Sequence, residues 1–175
     1  MQIDKQEKIF KRWLNEYEKL VFKVVKTYAE LPQDKDDLFQ EILIQLWSSV
    51  PNFQGEAKET TWIYRVALNT ALVWKSSEKI KNKRFRIEFL DIQRLSQSKG
   101  DSDEISQSQQ VLDKVYDSIR KLSKSESSII LLYLDGLSYD EISNVLGISI
   151  SNVGVRLTRV KKKLAQLLKG LIDDF

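Results

Sequence analysis

Apolar residues recur at three- and four-residue spacing along almost all of the 175 residues, and only two prolines, Pro32 and Pro51, and six glycines interrupt them. That spacing is the period of one helix face. A half-buried strand would instead alternate at every second residue, with turn residues roughly every 8–12 positions. The expected fold is therefore all-α. Helices are predicted over 4–29, 36–50 and 61–83, and again over 109–121, 125–135, 139–146 and 150–170. Pro32 and Pro51 punctuate the first two helix ends, because proline removes a backbone donor and clashes with the preceding turn.

The charge is unevenly spread. Lys and Arg number 28 against 25 Asp and Glu, but the net charge runs +3 over 1–90, −3 over 91–113 and +3 over 114–175. The middle stretch, DIQRLSQSKGDSDEISQSQQ, is rich in Ser, Gln and Asp and cannot bury enough apolar surface to order itself. It reads as a flexible linker, 87–109, between two small helical domains, 8–86 and 110–170. A long surface loop within one domain is the other reading, and structureless loops beyond about 12–15 residues are uncommon inside a compact domain.

Cysteine and histidine are both absent. The chain can therefore supply no thiolate nucleophile, no Ser-His-Asp triad, no disulfide and no structural zinc site. No cofactor, metal or small-molecule substrate is expected. With 30% charged residues, no apolar run of about 20 and a polar N-terminus, MQIDKQEKIFKRW, the expected location is the cytoplasm.

The clearest local signal is LSYDEISNVLGISISNVGVRLTRVKKKL. Ser138 and Glu141 have the spacing of a capping box, Gly147 stands where a tight turn needs positive φ, and Ser149 can cap a second helix. Ile150, Val153, Leu157, Val160 and Leu164 cluster on one side of that helix. The opposite side presents Ser151, Asn152, Val155, Thr158, Arg159 and Lys162. Five cations and no acid fall within 156–163, Arg156 among them. A cationic run is often only a solvated face; following a capped helix, a glycine turn and a second amphipathic helix, it reads as a DNA-binding helix-turn-helix.

Two faces of the first domain also carry information. On the helix DKDDLFQEILIQLWSSV, Phe39, Ile42, Leu43, Leu46, Trp47 and Val50 form the burying side, and Asp37, Gln40, Glu41, Ile44 and Ser48 form the other. Asp37 suits the helix dipole and Glu41 simple solvation. An exposed isoleucine flanked by two acids also suits docking on a basic partner. On the next helix, Trp62, Ile63, Val66, Ala67, Thr70, Val73 and Trp74 are assigned to the core. The stripe Arg65, Asn69, Leu72, Lys75, Ser76, Lys79 and Lys83 suits a nucleic-acid backbone, with Asn69 able to reach a base edge.

These residues resemble a bacterial RNA polymerase sigma factor of the extracytoplasmic-function (ECF) group. DLFQEILIQLW is similar to the DLxQExxxxxW helix of sigma region two, FQGEAKETTWIYRVALNTAL to its continuation, and LSYDEISNVLGISISNVGVRLTRVKKKL to the region-four helix-turn-helix. The resemblance covers roughly 10–85 and 110–168 in the family's order. It implies an alternative sigma factor that binds core RNA polymerase, recognises and opens promoter DNA, and catalyses nothing itself. It further implies that Asp37, Gln40 and Glu41 dock on the β′ clamp helices, with the β subunit also in contact. The loop Asn52, Phe53, Gln54 and Gly55 would capture, with Asn69, a flipped base of the −10 element. Arg65, Lys75 and Lys79 extend that surface along the cationic stripe. Asn152, Val155, Arg156, Thr158 and Arg159 would enter the major groove at the −35 element, with Ser151 and Lys162 beside them. A cognate anti-sigma factor, membrane-anchored in many members, is implied as well.

The chain departs from the family at Gln54 (often Arg), Val73 (often Asp), Ser143 (usually Ala), Asn152 (usually Thr) and Gly154 (usually Lys or Arg). Its promoter sequence is thus not transferable from relatives. The competing reading is a stand-alone helix-turn-helix regulator with an N-terminal dimerisation or ligand-sensing domain. An enzyme would rest on carboxylates alone, with no partner base in view.

Overall fold

The computed structural model describes the backbone of residues 2–89 and 107–172 and the side chains of 3–77 and 107–170. Every regular element among them is helical. The order is α1 (Gln2–Tyr28), α2 (Pro32–Ser49), a 3-10 turn (Val50–Asn52), α3 (Glu59–Phe89), α4 (Gln107–Arg120), α5 (Lys124–Leu134), α6 (Tyr139–Leu146) and α7 (Ile150–Ile172). The expected linker 87–109 meets helix at both ends, since 87–89 close α3 and 107–109 open α4; residues 90–106 lie outside the described residues.

Helices α1, α2 and α3 pack on one another as a three-helix unit. Its buried centre holds Trp13, Val21, Val24 and Val25 of α1, Leu38, Ile42 and Leu46 of α2, and Ile63, Ala67, Leu68 and Ala71 of α3. Leu38 is fully buried although the periodicity placed Phe39 first; Phe39 lies half-buried, stacked on Phe22. Helix α2 also starts four residues earlier than expected. Pro32 occupies its first turn behind Leu31, which lends no side-chain cap, and proline is suited to that position because its missing N–H would be unpaired there anyway.

The second unit is built around α5, whose residues Ser127 to Leu132 are all buried. Such burial is unlike an amphipathic surface helix and marks α5 as the helix on which the others pack. Ile119, Ile142, Val145, Val153, Leu157, Val160 and Leu164 complete this core. Ser127 Oγ donates to the Ile119 carbonyl at 2.8 Å, so a buried hydroxyl joins α4 to α5.

The two units are in contact. Helix α3 packs on α6, and α1 packs on α4 and α5, so that the two cores form one continuous apolar cluster. Tyr28, 4% exposed, donates from α1 to the Lys124 carbonyl at 3.1 Å and shares a hydrogen bond with Ser128. Arg120 Nη1 donates to the Lys26 carbonyl at 2.6 Å. Burial pushes the Tyr28 phenol up to about 12, against the opposing effect of its bond to Ser128. A raised tyrosine stabilises the fold below its ordinary value of 10, and that contribution is lost as pH rises towards 12.

Candidate nucleic-acid and docking interface

The helix-turn-helix forms as its local chemistry dictates. Ser138 Oγ accepts from the Glu141 backbone N–H at 3.2 Å, and the Ser138 N–H donates back to the Glu141 carboxylate at 2.9 Å. Gly147 ends α6 at φ 67°, a left-handed conformation that a Cβ would disfavour. Ser149 Oγ then accepts from the Asn152 N–H at 3.2 Å to start α7. Helix α5 uses the same device, Ser123 with Glu126, and the S-x-x-E spacing in KLSKSES was an available signal for it. The Ser138 N–H and then Lys58 hold the Glu141 carboxyl below the usual range. Lys163 and then the Ser123 N–H do the same for Glu126. Both depressed carboxylates stabilise their helices above the ordinary value of 4.5, and that stability is lost as pH falls through the lowered value.

Helix α7 buries Val153, Leu157, Val160 and Leu164 and leaves Ser151, Val155, Arg156, Thr158, Arg159 and Lys162 exposed, with Asn152 half-buried. Arg156 Nε donates to Asn152 Oδ1 at 3.1 Å, one turn back. The cationic run divides. Lys161 turns over the Tyr133 ring, 3.8 Å from its centroid, and Lys163 pairs with Glu126, whereas Arg156, Arg159 and Lys162 face outward. Gly154 does not face outward with them. A Cβ there would meet Tyr139 Cε2 at 3.6 Å, an ordinary contact, so the position accepts a methyl although glycine costs the helix about 0.8–1.0 kcal/mol relative to alanine.

In α2, Asp37, Gln40, Ile44 and Ser48 are exposed and Glu41 half-exposed. Ile44 is 57% exposed, a large apolar side chain standing among acids. Glu41 also lines an open groove of about 470 Å³ between α2 and α3, together with Gln45, Asn69, Thr70, Val73, Trp74 and Ser77. Val73, assigned to the core from periodicity, is 71% exposed on the rim of this groove. The inward positions of α3 are Tyr64, Leu68 and Ala71 beside Ile63 and Ala67, because the helix is covered from two sides rather than one.

The loop after α2 is held from below. Phe53 packs between Trp13 (ring centroids 5.4 Å) and Trp62 (5.6 Å), and Trp62 Nε1 donates to Ser49 Oγ at 3.1 Å. Asn52, Gln54 and Gly55 remain exposed, with Gly55 at φ 78°. The Phe53 ring is thus an anchor for the loop, and its neighbours form the open edge.

The cationic stripe of α3 meets the second unit. Arg65 donates from Nε at 2.8 Å and from Nη2 to the Asn144 carbonyl near the end of α6. Leu72 is half-buried, Ser76 Oγ accepts from Lys124, and Lys75 lines a recess with Thr27, Arg120 and Lys124. Only Asn69 of the described stripe lies on the opposite groove. The side chains of Lys79 and Lys83 lie outside the described residues.

A three-helix unit with an acidic outer helix, followed by a capped helix-turn-helix with an outward cationic face, defines the class to which the chain belongs. Residues 13–79 match the model of sigma-70 region 2 and residues 112–164 that of sigma-70 region 4, so that the two together cover about two thirds of the chain. The chain belongs to the sigma-70 family of sigma factors. It is 26% identical over 173 residues to the ECF RNA polymerase sigma-E factor of Escherichia coli (strain K12), covering 95% of this chain and 90% of that one. The corresponding factor of Haemophilus influenzae is 24% identical over 172 residues, with the same coverages. Two solved structures share the fold. The sigma factor RpoE of Bartonella quintana, in complex with the anti-sigma factor NepR, has a TM-score of 0.66 at 20% identity, covering 93% of this chain and 98% of its own. CnrH, in complex with the cytosolic domain of CnrY, has a TM-score of 0.64 at 19% identity, with coverages of 94% and 90%. Within the family the chain is an alternative sigma factor of the ECF group, directing transcription initiation.

Proposed function

We propose that residues 8–86 dock on core RNA polymerase and read the −10 element, and that 110–170 read the −35 element. The observation that carries this reading is the separation of charge onto different exposed faces: acids around Ile44 on α2, cations on the outer face of α7. Asp37, Gln40, Glu41 and Ile44 would engage the β′ clamp helices, Ile44 supplying apolar contact and the acids complementary charge. Asn52, Gln54 and Gly55, on a loop fixed by Phe53, would hold a flipped base together with Asn69. Ser151, Asn152, Val155, Arg156, Thr158, Arg159 and Lys162 would lie in the major groove.

The chain would contribute specificity and strand opening, with no catalytic step of its own. It would act in the cytoplasm, beside the polymerase it serves. Among the described residues no helix is long and apolar enough to cross a membrane. An anti-sigma factor is a further expected partner. Both structural neighbours are complexes, and the molecule bound to RpoE in one of them is the anti-sigma factor NepR.

The docking face can be tested directly. Asp37→Ala combined with Glu41→Ala should weaken binding to core polymerase by about 1–3 kcal/mol while leaving the thermal melt unchanged, since neither side chain is buried. A fluorescence titration with labelled chain reads this, and unchanged affinity would remove α2 from the interface.

A further inference from the structure

The loop that carries Asn52, Gln54 and Gly55 has backbone bonds at its two ends. The Phe53 N–H donates to the Val50 carbonyl at 3.1 Å, and the Trp62 N–H to the Lys58 carbonyl at 3.1 Å, where α3 begins. Between those ends its course is fixed from a single stretch of α1. Trp13 receives the Phe53 ring on one side. On the other side Glu59, the first residue of α3, has a partner on each carboxylate oxygen: Arg12 pairs with Oε1, and the Tyr17 hydroxyl donates to Oε2 at 3.3 Å. Arg12, Trp13 and Tyr17 lie within about one and a half turns of one helix. A glutamate in a first turn suits the helix dipole with its side chain left in water. The Glu59 side chain is instead only 20% exposed and drawn back onto α1. Partial burial and then the charge of Glu59 hold the Tyr17 phenol above its ordinary value, so it remains a donor at neutral pH.

From these two tethers we propose that Glu59 is a positioning residue for base capture: seated on Arg12 and Tyr17, it fixes the far end of the 52–55 loop and the start of α3, and so sets the opening between that loop and Asn69. Glu59 itself touches no base. The inference rests on the reading of this loop and Asn69 as the −10 base site. A partly exposed ion pair adds little to global stability. A surface loop opens far more easily than a core, so the same pair weighs more in local order. Where only the ordered loop accepts the base, apparent affinity falls with the ordered fraction.

The test uses the full chain and a single-stranded non-template oligonucleotide from a template transcribed by core polymerase together with this chain, with 2-aminopurine placed at each −10 position in turn. The natural chain should brighten one position, that of the base leaving the stack of its neighbours. Glu59→Gln and Arg12→Met should each move the midpoint of that titration about three- to fivefold towards higher protein concentration, with the thermal melt and binding to the upstream duplex element unchanged. The two together should lose no more than either alone, because they remove one shared contact. Lys11→Met, which breaks the neighbouring exposed pair with Glu7, should leave the midpoint where it is. An unmoved midpoint in Glu59→Gln would overturn the positioning role. Additive losses would overturn it too, since Arg12 would then act as an independent DNA contact, and equal weakening at the upstream element would reduce Glu59 to a general stabiliser. No brightening at any position with the natural chain would instead overturn the base site itself and this role with it, so the two failures are distinguishable.

Discussion

Trp13→Ala should destabilise the fold by about 3–5 kcal/mol, the cost usual for removing a large buried aromatic and leaving a cavity. Trp13 is 1% exposed, and its ring supports Phe53, the anchor of the Asn52–Gly55 loop. The loss should therefore appear twice, as a lower urea midpoint and as weaker binding to single-stranded −10 DNA under conditions where the variant is still folded. Trp13→Phe isolates the two parts. The indole Nε1 has no hydrogen-bond partner among the described residues, and a buried unpaired donor costs about 1–3 kcal/mol. Phenylalanine removes that donor while keeping an aromatic face for Phe53, so it should fall well short of the alanine effect. Equal losses from both substitutions would contradict this, because a retained aromatic ring would then support Phe53 no better than a methyl group.

On the other unit, Arg159→Ala should weaken binding to the upstream promoter element by about 1–3 kcal/mol if the guanidinium reads a base. Arg159 is exposed on α7, about one turn beyond Val155 and Arg156 and about one turn before Lys162, and it is not among the buried residues. Salt dependence tells the two possible contacts apart. A base contact leaves the slope of log affinity against log salt unchanged, whereas a phosphate contact lowers its magnitude by about one, because one fewer counterion is released. Fluorescence anisotropy across a salt series measures both. If neither affinity nor slope changes, Arg159 lies outside the interface.

Local chemistry was legible wherever the decisive partners are neighbours in sequence. Ser138, Glu141, Gly147 and Ser149 set the bounds of α6 and the start of α7, and all four act within five residues of themselves. The start of α2 was not legible from acids alone, because Asp36 and Asp37 resemble a first turn while Pro32 in fact begins the helix. On α3 the error has a physical cause. A helical wheel assumes one buried face, but α3 is covered by α1 and α2 on one side and by α6 on another, which buries Tyr64 and Leu68 and leaves Val73 outside. The sign of the charge over 156–163 was readable, but not that Lys161 would fold onto Tyr133 or Lys163 onto Glu126. The contacts of Asp135 with Lys23 and Tyr64 span too much chain for any motif to announce them.

The most direct test is reconstitution. Core polymerase supplied with the purified chain and a library of random upstream sequences should yield transcripts from a small set of templates that share two spaced elements, with the spacing and strand opening absent when either component is omitted. Asp37→Ala with Glu41→Ala should depress all of these transcripts together, whereas Arg159→Ala should change which upstream elements are selected. Failure of the chain to bind core polymerase at low salt, or duplex recognition of a palindromic site without polymerase, would contradict the account and favour a stand-alone regulator.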